Sequence, residues 1–295
     1  MKEHRSRRLR FTVIGLALVL LVVALCFAIW RPSGNEPIYQ GRTLNEWLDD
    51  ASYADAESMS RGNARQAIQQ IGTNALPHLL QRLETPYTDT DRSLMQWMKN
   101  QAWLSELNRD RLGDQSLRRW KHAAEGFSAL GTNAAPATQR LIYLAGVHGG
   151  GLGTVPVSAL ETIGPDAVDP LIQSLTSPDR TMRLGALYGL RTLRIERSVP
   201  TLLKCLDDPD ARIREEAVNV LALIKPPQDV VIERLIRTLR DPEVAVSRTA
   251  ARALGGFGAA ATNAVPVMLK LQQENPSRSE LREALATITN SVIAP

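Results

Sequence analysis

Asp208-Pro209-Asp210-Ala-Arg-Ile-Arg214-Glu-Glu-Ala217-Val218-Asn-Val-Leu221 decides the fold, because its pattern is written four times. Four prolines anchor the copies: Pro178, Pro209, Pro242 and Pro276, spaced 31, 33 and 34 residues apart. Eight residues after each stands Ala186, Ala217, Ala250 or Ala284. Nine after stands Leu187, Val218, Ala251 or Leu285. Twelve after stands Leu190, Leu221, Leu254 or Ile288. That spacing marks one face of an α-helix. Alanine there lets a neighbouring helix approach, and the aliphatics fill the gap. Arg183, Arg214, Arg248 and Arg282 follow their prolines by five or six residues, and Ser177, Asp208, Asp241 and Asn275 precede them as turn or N-cap types.

An apolar helix leads into each anchor: Pro170-Leu-Ile-Gln-Ser-Leu175, Pro200-Thr-Leu-Leu-Lys-Cys-Leu206, Val231-Ile-Glu-Arg-Leu-Ile-Arg-Thr-Leu239 and Pro266-Val-Met-Leu-Lys-Leu271. Two helices per period of this length define an α-solenoid, in which neighbouring pairs must stack to bury their apolar faces. A second phrase marks further joints: Ile71-Gly-Thr-Asn-Ala-Leu-Pro77 and Leu130-Gly-Thr-Asn-Ala-Ala-Pro136, with variants at Ile163–Pro170 and Thr262–Pro266. Glycine ends one helix, Asn or Asp is expected to cap the next, and Pro fits its first turn. Counting joints gives an all-α solenoid of about seven helix pairs over residues 44–291, with an insertion at about 84–120.

The run Leu206–Leu221, echoed at 239–254 and at 175–190, resembles HEAT repeats in the short, PBS-lyase-like form found in bacteria. The resemblance covers 170–290, with weaker copies back to 44. It implies a right-handed α-solenoid in which first helices line the convex side and second helices the concave side. It also implies a ladder of turn acids and helix arginines between repeats, at positions held here by Asp210 with Arg214 and Asp241 with Arg248, and by Arg183 and Arg282. In the last copy Ser277 replaces the acid and Glu280 takes an apolar place, like a terminal cap with a polar face. Tyr39-Gln-Gly-Arg-Thr43-Leu-Asn-Glu46-Trp47-Leu48 resembles a lead-in that precedes such arrays in exported bacterial proteins, and Thr43 with Glu46 forms a capping box.

The N-terminus reads differently. Residues 1–10 are a basic tail, residues 11–30 carry no charge, and residues 31–43 read as a linker with two prolines and two glycines. Twenty apolar residues span about 30 Å as a helix. The expectation is a single transmembrane signal anchor in the lipid bilayer, N-terminus cytoplasmic and array exported. A cleaved signal peptide and a lipoprotein signal ending at Cys26 are the alternatives. The chain's formal charge of +4 comes from this tail, since 29 basic and 30 acidic residues follow from Pro32 onward. Nucleic acid is therefore not an expected partner.

No catalytic, cofactor-binding or metal-binding constellation stands out. The four histidines are scattered, and His148-Gly-Gly-Gly lacks the Gly-x-Ser-x-Gly elbow that an esterase reading needs. Cys205 reads as an inert core thiol. The expected function is a membrane-anchored interaction module or scaffold that binds another protein on its concave face. A lyase-type enzyme on HEAT-like repeats and a passive envelope protein are the alternatives. Candidate contacts are Glu215 and Asn219 on that face and Trp97, Trp103 and Trp120 in the insertion.

Overall fold

The computed structural model describes residues 36–54, 58–84, 113–149, 154–224 and 228–293. Among these, a two-stranded hairpin, β1 (Ile38–Tyr39) and β2 (Arg42–Thr43), precedes fourteen α-helices. They are α1 (Leu44–Tyr53), α2 (Met59–Ile71), α3 (Leu76–Glu84), α4 (Gly113–Leu130), α5 (Thr138–His148), α6 (Thr154–Ile163) and α7 (Pro165–Ser174). The series continues with α8 (Arg180–Leu193), α9 (Val199–Cys205), α10 (Ala211–Ile224), α11 (Gln228–Thr238), α12 (Val244–Phe257), α13 (Val265–Glu274) and α14 (Ser279–Ile293).

The C-terminal half is a stack of helix pairs. Helices α7, α9, α11 and α13 pack on their partners α8, α10, α12 and α14, and each of the latter packs on the next. The twelve positions that defined the repeat lie inside this stack, none more than 9% exposed. The N-terminal half gathers α1, α2 and α3 around α4, which reaches the rest through α6.

One crossing departs from simple stacking. Helix α5 lies across α8 in an extensive contact, made possible by two glycines. A Cβ at Gly185 would fall 1.8 Å from the Ile142 carbonyl oxygen, and one at Gly146 would fall 1.9 Å from that of Thr181. The two backbones touch, and Leu184 to Leu190 are buried without a break.

The joints form by a different device from side-chain capping. Gly72, Gly131 and Gly258 take φ of 61°, 55° and 58°, as a helix-ending glycine should. The chain then runs through a 3₁₀ turn straight into the next helix. The residues flanking these turns already have right-handed helical dihedrals and receive no side-chain cap bond. The Asn of each phrase therefore does not cap, because no extended N-cap residue exists there for it to occupy. At the lead-in the capping box is present: Thr43 N–H donates to Glu46 Oε2 at 2.7 Å and Glu46 N–H to Thr43 Oγ1 at 3.4 Å.

The expectation of a single-pass membrane protein is corrected: among the described residues no helix is long and apolar enough to cross a membrane. The basic tail, the apolar run 11–30, Cys26, Trp97 and Trp103 lie outside the described residues, as does most of the expected insertion.

Gly185→Ala should destabilise the chain by about 3 kcal/mol, since backbone must move to admit the methyl group. Gly256→Ala, in open space on α12, should instead stabilise it by about 0.5–1 kcal/mol. Urea unfolding midpoints of the two variants check both signs.

Candidate interaction surface

The repeat turns are tied together by arginine. Arg214 Nη1 donates to the carbonyls of its own turn, Asp208 at 2.8 Å and Pro209 at 3.2 Å. Its Nε and Nη2 donate to the two carboxylate oxygens of Asp241, in the next turn, at 2.8 and 2.9 Å. Asp241 Oδ1 also accepts the Glu243 N–H at 2.9 Å and so shapes that turn. Arg183 repeats the arrangement one pair earlier. Its Nη1 donates to the Ser177 and Pro178 carbonyls at 2.9 and 3.1 Å, and its Nε lies 2.9 Å from Asp208 Oδ2.

These rungs differ in pairing from the expected ones. The acid is the residue before each proline, and it pairs with the arginine of the preceding repeat. Asp210 instead caps α10 through the Arg212 and Ile213 N–H groups and pairs with Arg180. The physical reason is reach: from α8, Arg180 meets Asp210 while Arg183, nearly a turn further along, meets Asp208. Burial works to raise the Asp241 carboxyl, but the Arg214 hydrogen bonds, the Glu243 N–H and the arginine charge hold it below the ordinary carboxylate value. The hydrogen bond from Arg180 similarly lowers Asp210.

Arg248 and Arg282 are not rungs. They stand six residues after their prolines rather than five, and the five-residue positions hold Ser247 and Leu281, both buried. Both arginines are exposed. They fall on the solvent faces of α12 and α14, in line with Glu215 and Asn219 on α10. Glu215 is half-buried and bound by Arg212 at 2.9 Å. Asn219 Nδ2 lies 3.5 Å from Glu216 Oε2. Glu216, only 3% exposed at its side chain, takes Arg212 at 2.7 Å and Arg191 at 3.7 Å. Glu280 is buried and paired with Arg278 at 3.0 Å rather than presenting a polar cap.

Trp120 is half-buried, its ring edge-on to His148 at 5.4 Å, and so serves packing. His148 Nε2 meets the Leu83 carbonyl at 2.9 Å, which occupies the histidine of the glycine loop structurally. His122 is buried 3.0 Å from Asp49. Burial pushes its imidazole below the ordinary value, against the upward pull of Asp49, which favours the neutral ring. Cys205 is buried, and its thiol is pushed up to about 11 by that burial, which leaves it unreactive. Among the described residues no three His, Cys, Asp or Glu side chains are placed to hold a metal ion.

The lead-in forms an open cleft of about 390 Å³ between the hairpin and α2, lined by Tyr39, Arg42, Trp47, Asp50, Asn63 and Gln66 among others. Arg42 lies 4.0 Å over the Trp47 ring and pairs with Asp50 at 2.9 Å. That cleft was not foreseen as a unit. Its signals were the capping box and Gln40-Gly41, whose positive φ values of 51° and 76° close the hairpin.

The architecture is that of an all-α repeat protein built from stacked helix pairs. The family profile of HEAT repeats matches residues 168–232, which contain Arg183, Asp208 and Arg214. No curated protein matches the chain. Among solved structures, an engineered protein aligns at 19% identity with a TM-score of 0.39, covering 84% of this chain and 97% of that one. A designed armadillo repeat protein in complex with the peptide (KR)4 aligns at 14% identity with a TM-score of 0.37, covering 83% and 99%.

Removing the Arg214 rung with Arg214→Ala should cost about 2–3 kcal/mol, because Asp241 is left largely buried and unpaired. Arg180→Gln, at a side chain 54% exposed, should cost less than about 1 kcal/mol. Because Asp241 titrates lower in the folded chain, its contribution is present above its unfolded value, about 3.9, and is lost as pH falls through the lowered one. The gap in urea midpoint between the parent and Asp241→Asn should therefore be wide at pH 7 and close in acid below that value.

Proposed function

We propose that this chain is a protein-interaction module that binds a partner protein along the exposed faces of its second helices, chiefly α10, α12 and α14. One observation carries the reading. Those three helices stack in register, and their outward positions carry Arg212, Glu215, Asn219, Arg248, Arg252 and Arg282; Arg212 is held by Glu215 and Glu216, whereas the other three arginines are exposed and take no part in the turn ladder. The core takes the alanines and aliphatics, and the turns take Arg183 and Arg214. Such a strip across stacked helices suits a helix or extended segment of another protein.

A photo-crosslinking residue at position 219 or 252 should give an adduct with a discrete partner, identified by mass spectrometry, while positions 237 and 273 on first helices should not. Asn219→Lys should then weaken binding of the purified partner about tenfold or more at an unchanged unfolding midpoint. Adducts from the first helices alone would overturn the reading.

A further inference from the structure

The exposed face changes character along the array. On α10 its arginine is neutralised: Arg212 lies 2.9 Å from Glu215 and 2.7 Å from Glu216. The matching positions on α12, counted from the anchor prolines, are Arg248 and Thr249. Both carboxylates are thus gone, one replaced by a cation. Arg252, one turn further on, donates to the Thr249 hydroxyl at 3.2 Å, and that hydroxyl in turn donates to Glu215 Oε1 at 3.5 Å, so Arg252 meets the carboxylate only through a neutral intermediary. Arg282 takes the equivalent place of Arg248 on α14. Among the described residues, none of Arg248, Arg252 and Arg282 has a carboxylate within 4.0 Å, although Arg183, Arg191, Arg212 and Arg214 all do. Glu280 lies within electrostatic reach of Arg248, but it is already held by Arg278 at 3.0 Å. Glu283, exposed, takes on α14 the place of Glu216 and Thr249 and is not within 4.0 Å of any of the three arginines.

The one-residue shift of these arginines explains why they are available. A step of one residue turns a helix position by about 100°. That moves the guanidinium from the seam between turns, where Arg183 and Arg214 lie, to the open face. The ladder stops at the same place, since Asn275 stands where Asp208 and Asp241 supplied the acid.

Resting on the interaction reading above, the geometry points to an acidic segment of the partner as the occupant of α12 and α14, held by Arg248, Arg252 and Arg282. Guanidinium forks match carboxylates in two-pronged contacts. Arg248 and Arg252 are four residues apart on one helix, about 6 Å in rise. An extended chain places alternate side chains about 6.6 Å apart on one side. Glutamates or aspartates at every second position would therefore meet the two arginines of α12, and the segment's continuation would cross to Arg282 at helix spacing, about 8–10 Å. Nucleic acid offers similar anion spacing, but it draws its affinity from a longer run of cations, and here the run ends at α10, whose Arg212 is neutralised by Glu215 and Glu216.

The test uses the full chain and fluorescence anisotropy with three labelled probes: a peptide of alternating Glu and Ser, its Gln analogue, and a thymidine oligonucleotide of equal length. The glutamate peptide should bind at least about tenfold more tightly than the Gln analogue, and added salt should weaken it. The variant Arg248→Gln/Arg252→Gln/Arg282→Gln should lose at least about tenfold. A control with equal charge change elsewhere, Arg194→Gln/Arg237→Gln/Lys270→Gln, should keep affinity within about twofold. The single variant Arg252→Glu reads the same surface if the triple variant unfolds. Absence of glutamate-peptide binding, equal loss in the control, or tighter binding of the oligonucleotide would each overturn the proposal. A partner adduct from position 219 that persists in the triple variant would overturn the acidic strip alone and leave the interaction reading standing.

Discussion

A single guanidinium makes two repeats into one body. Arg214 fastens the turn that begins its own helix by donating to that turn's carbonyls, and it fastens the following turn by gripping Asp241 on both carboxylate oxygens. The carbonyls would otherwise be left over at a helix start, and the acid would otherwise be buried without a partner. Solving both needs with one side chain sets the distance and orientation between neighbouring pairs. The apolar core beneath is less specific: alanines and aliphatics on facing helices would tolerate small sliding, whereas a two-pronged bond to a carboxylate would not. Between α8 and α12 the register of neighbouring pairs thus rests on a polar contact as well as on the apolar one.

The repeat was legible because its signals are local. Proline, alanine and aliphatic positions have a fixed offset within one helix, and burial follows offset. The pairing of the ladder was not legible, because it joins residues 25 and 27 apart, and several acids stood at plausible offsets. Asp208 and Asp210 differ by two residues, and only the path of the chain decides that one faces Arg183 and the other Arg180. The displacement of Arg248 and Arg282 was visible as a number but hidden as a meaning: five and six residues past a proline look alike in a linear pattern and lie on different faces of a helix. The joints show the converse. Their glycines were readable from backbone freedom, but the role of Asn was not, since it depends on whether the next helix begins after a break or through a 3₁₀ turn.

The α5–α8 crossing shows a further limit. Gly146 and Gly185 are unremarkable in sequence, and glycine inside a helix ordinarily weakens it. Here the absent side chains let two backbones meet, which buries α8 on sides that α10 does not cover. The cost in helix propensity is offset by the closeness of the packing. Such a pair cannot be inferred without knowing that the helices cross, because nothing in either helix points to the other.

These constraints divide the surface. Where the ladder runs, from α8 to α12, arginines and acids are consumed by one another and the exposed face of α10 is neutralised by Glu215 and Glu216. Past Asp241 the acid before the proline becomes Asn275 and the inward arginine becomes Ser247 and then Leu281; Arg278 ties that seam through Ser247 and Glu280, and Arg248, Arg252 and Arg282 face outward. A repeat protein must satisfy its seams before it can offer charge to a partner, so surplus charge accumulates where the seam needs none. The C-terminal pairs are less tightly laddered and more open in chemistry for the same reason, which is why the proposed acidic segment is assigned to the end of the most regular stretch rather than to its centre.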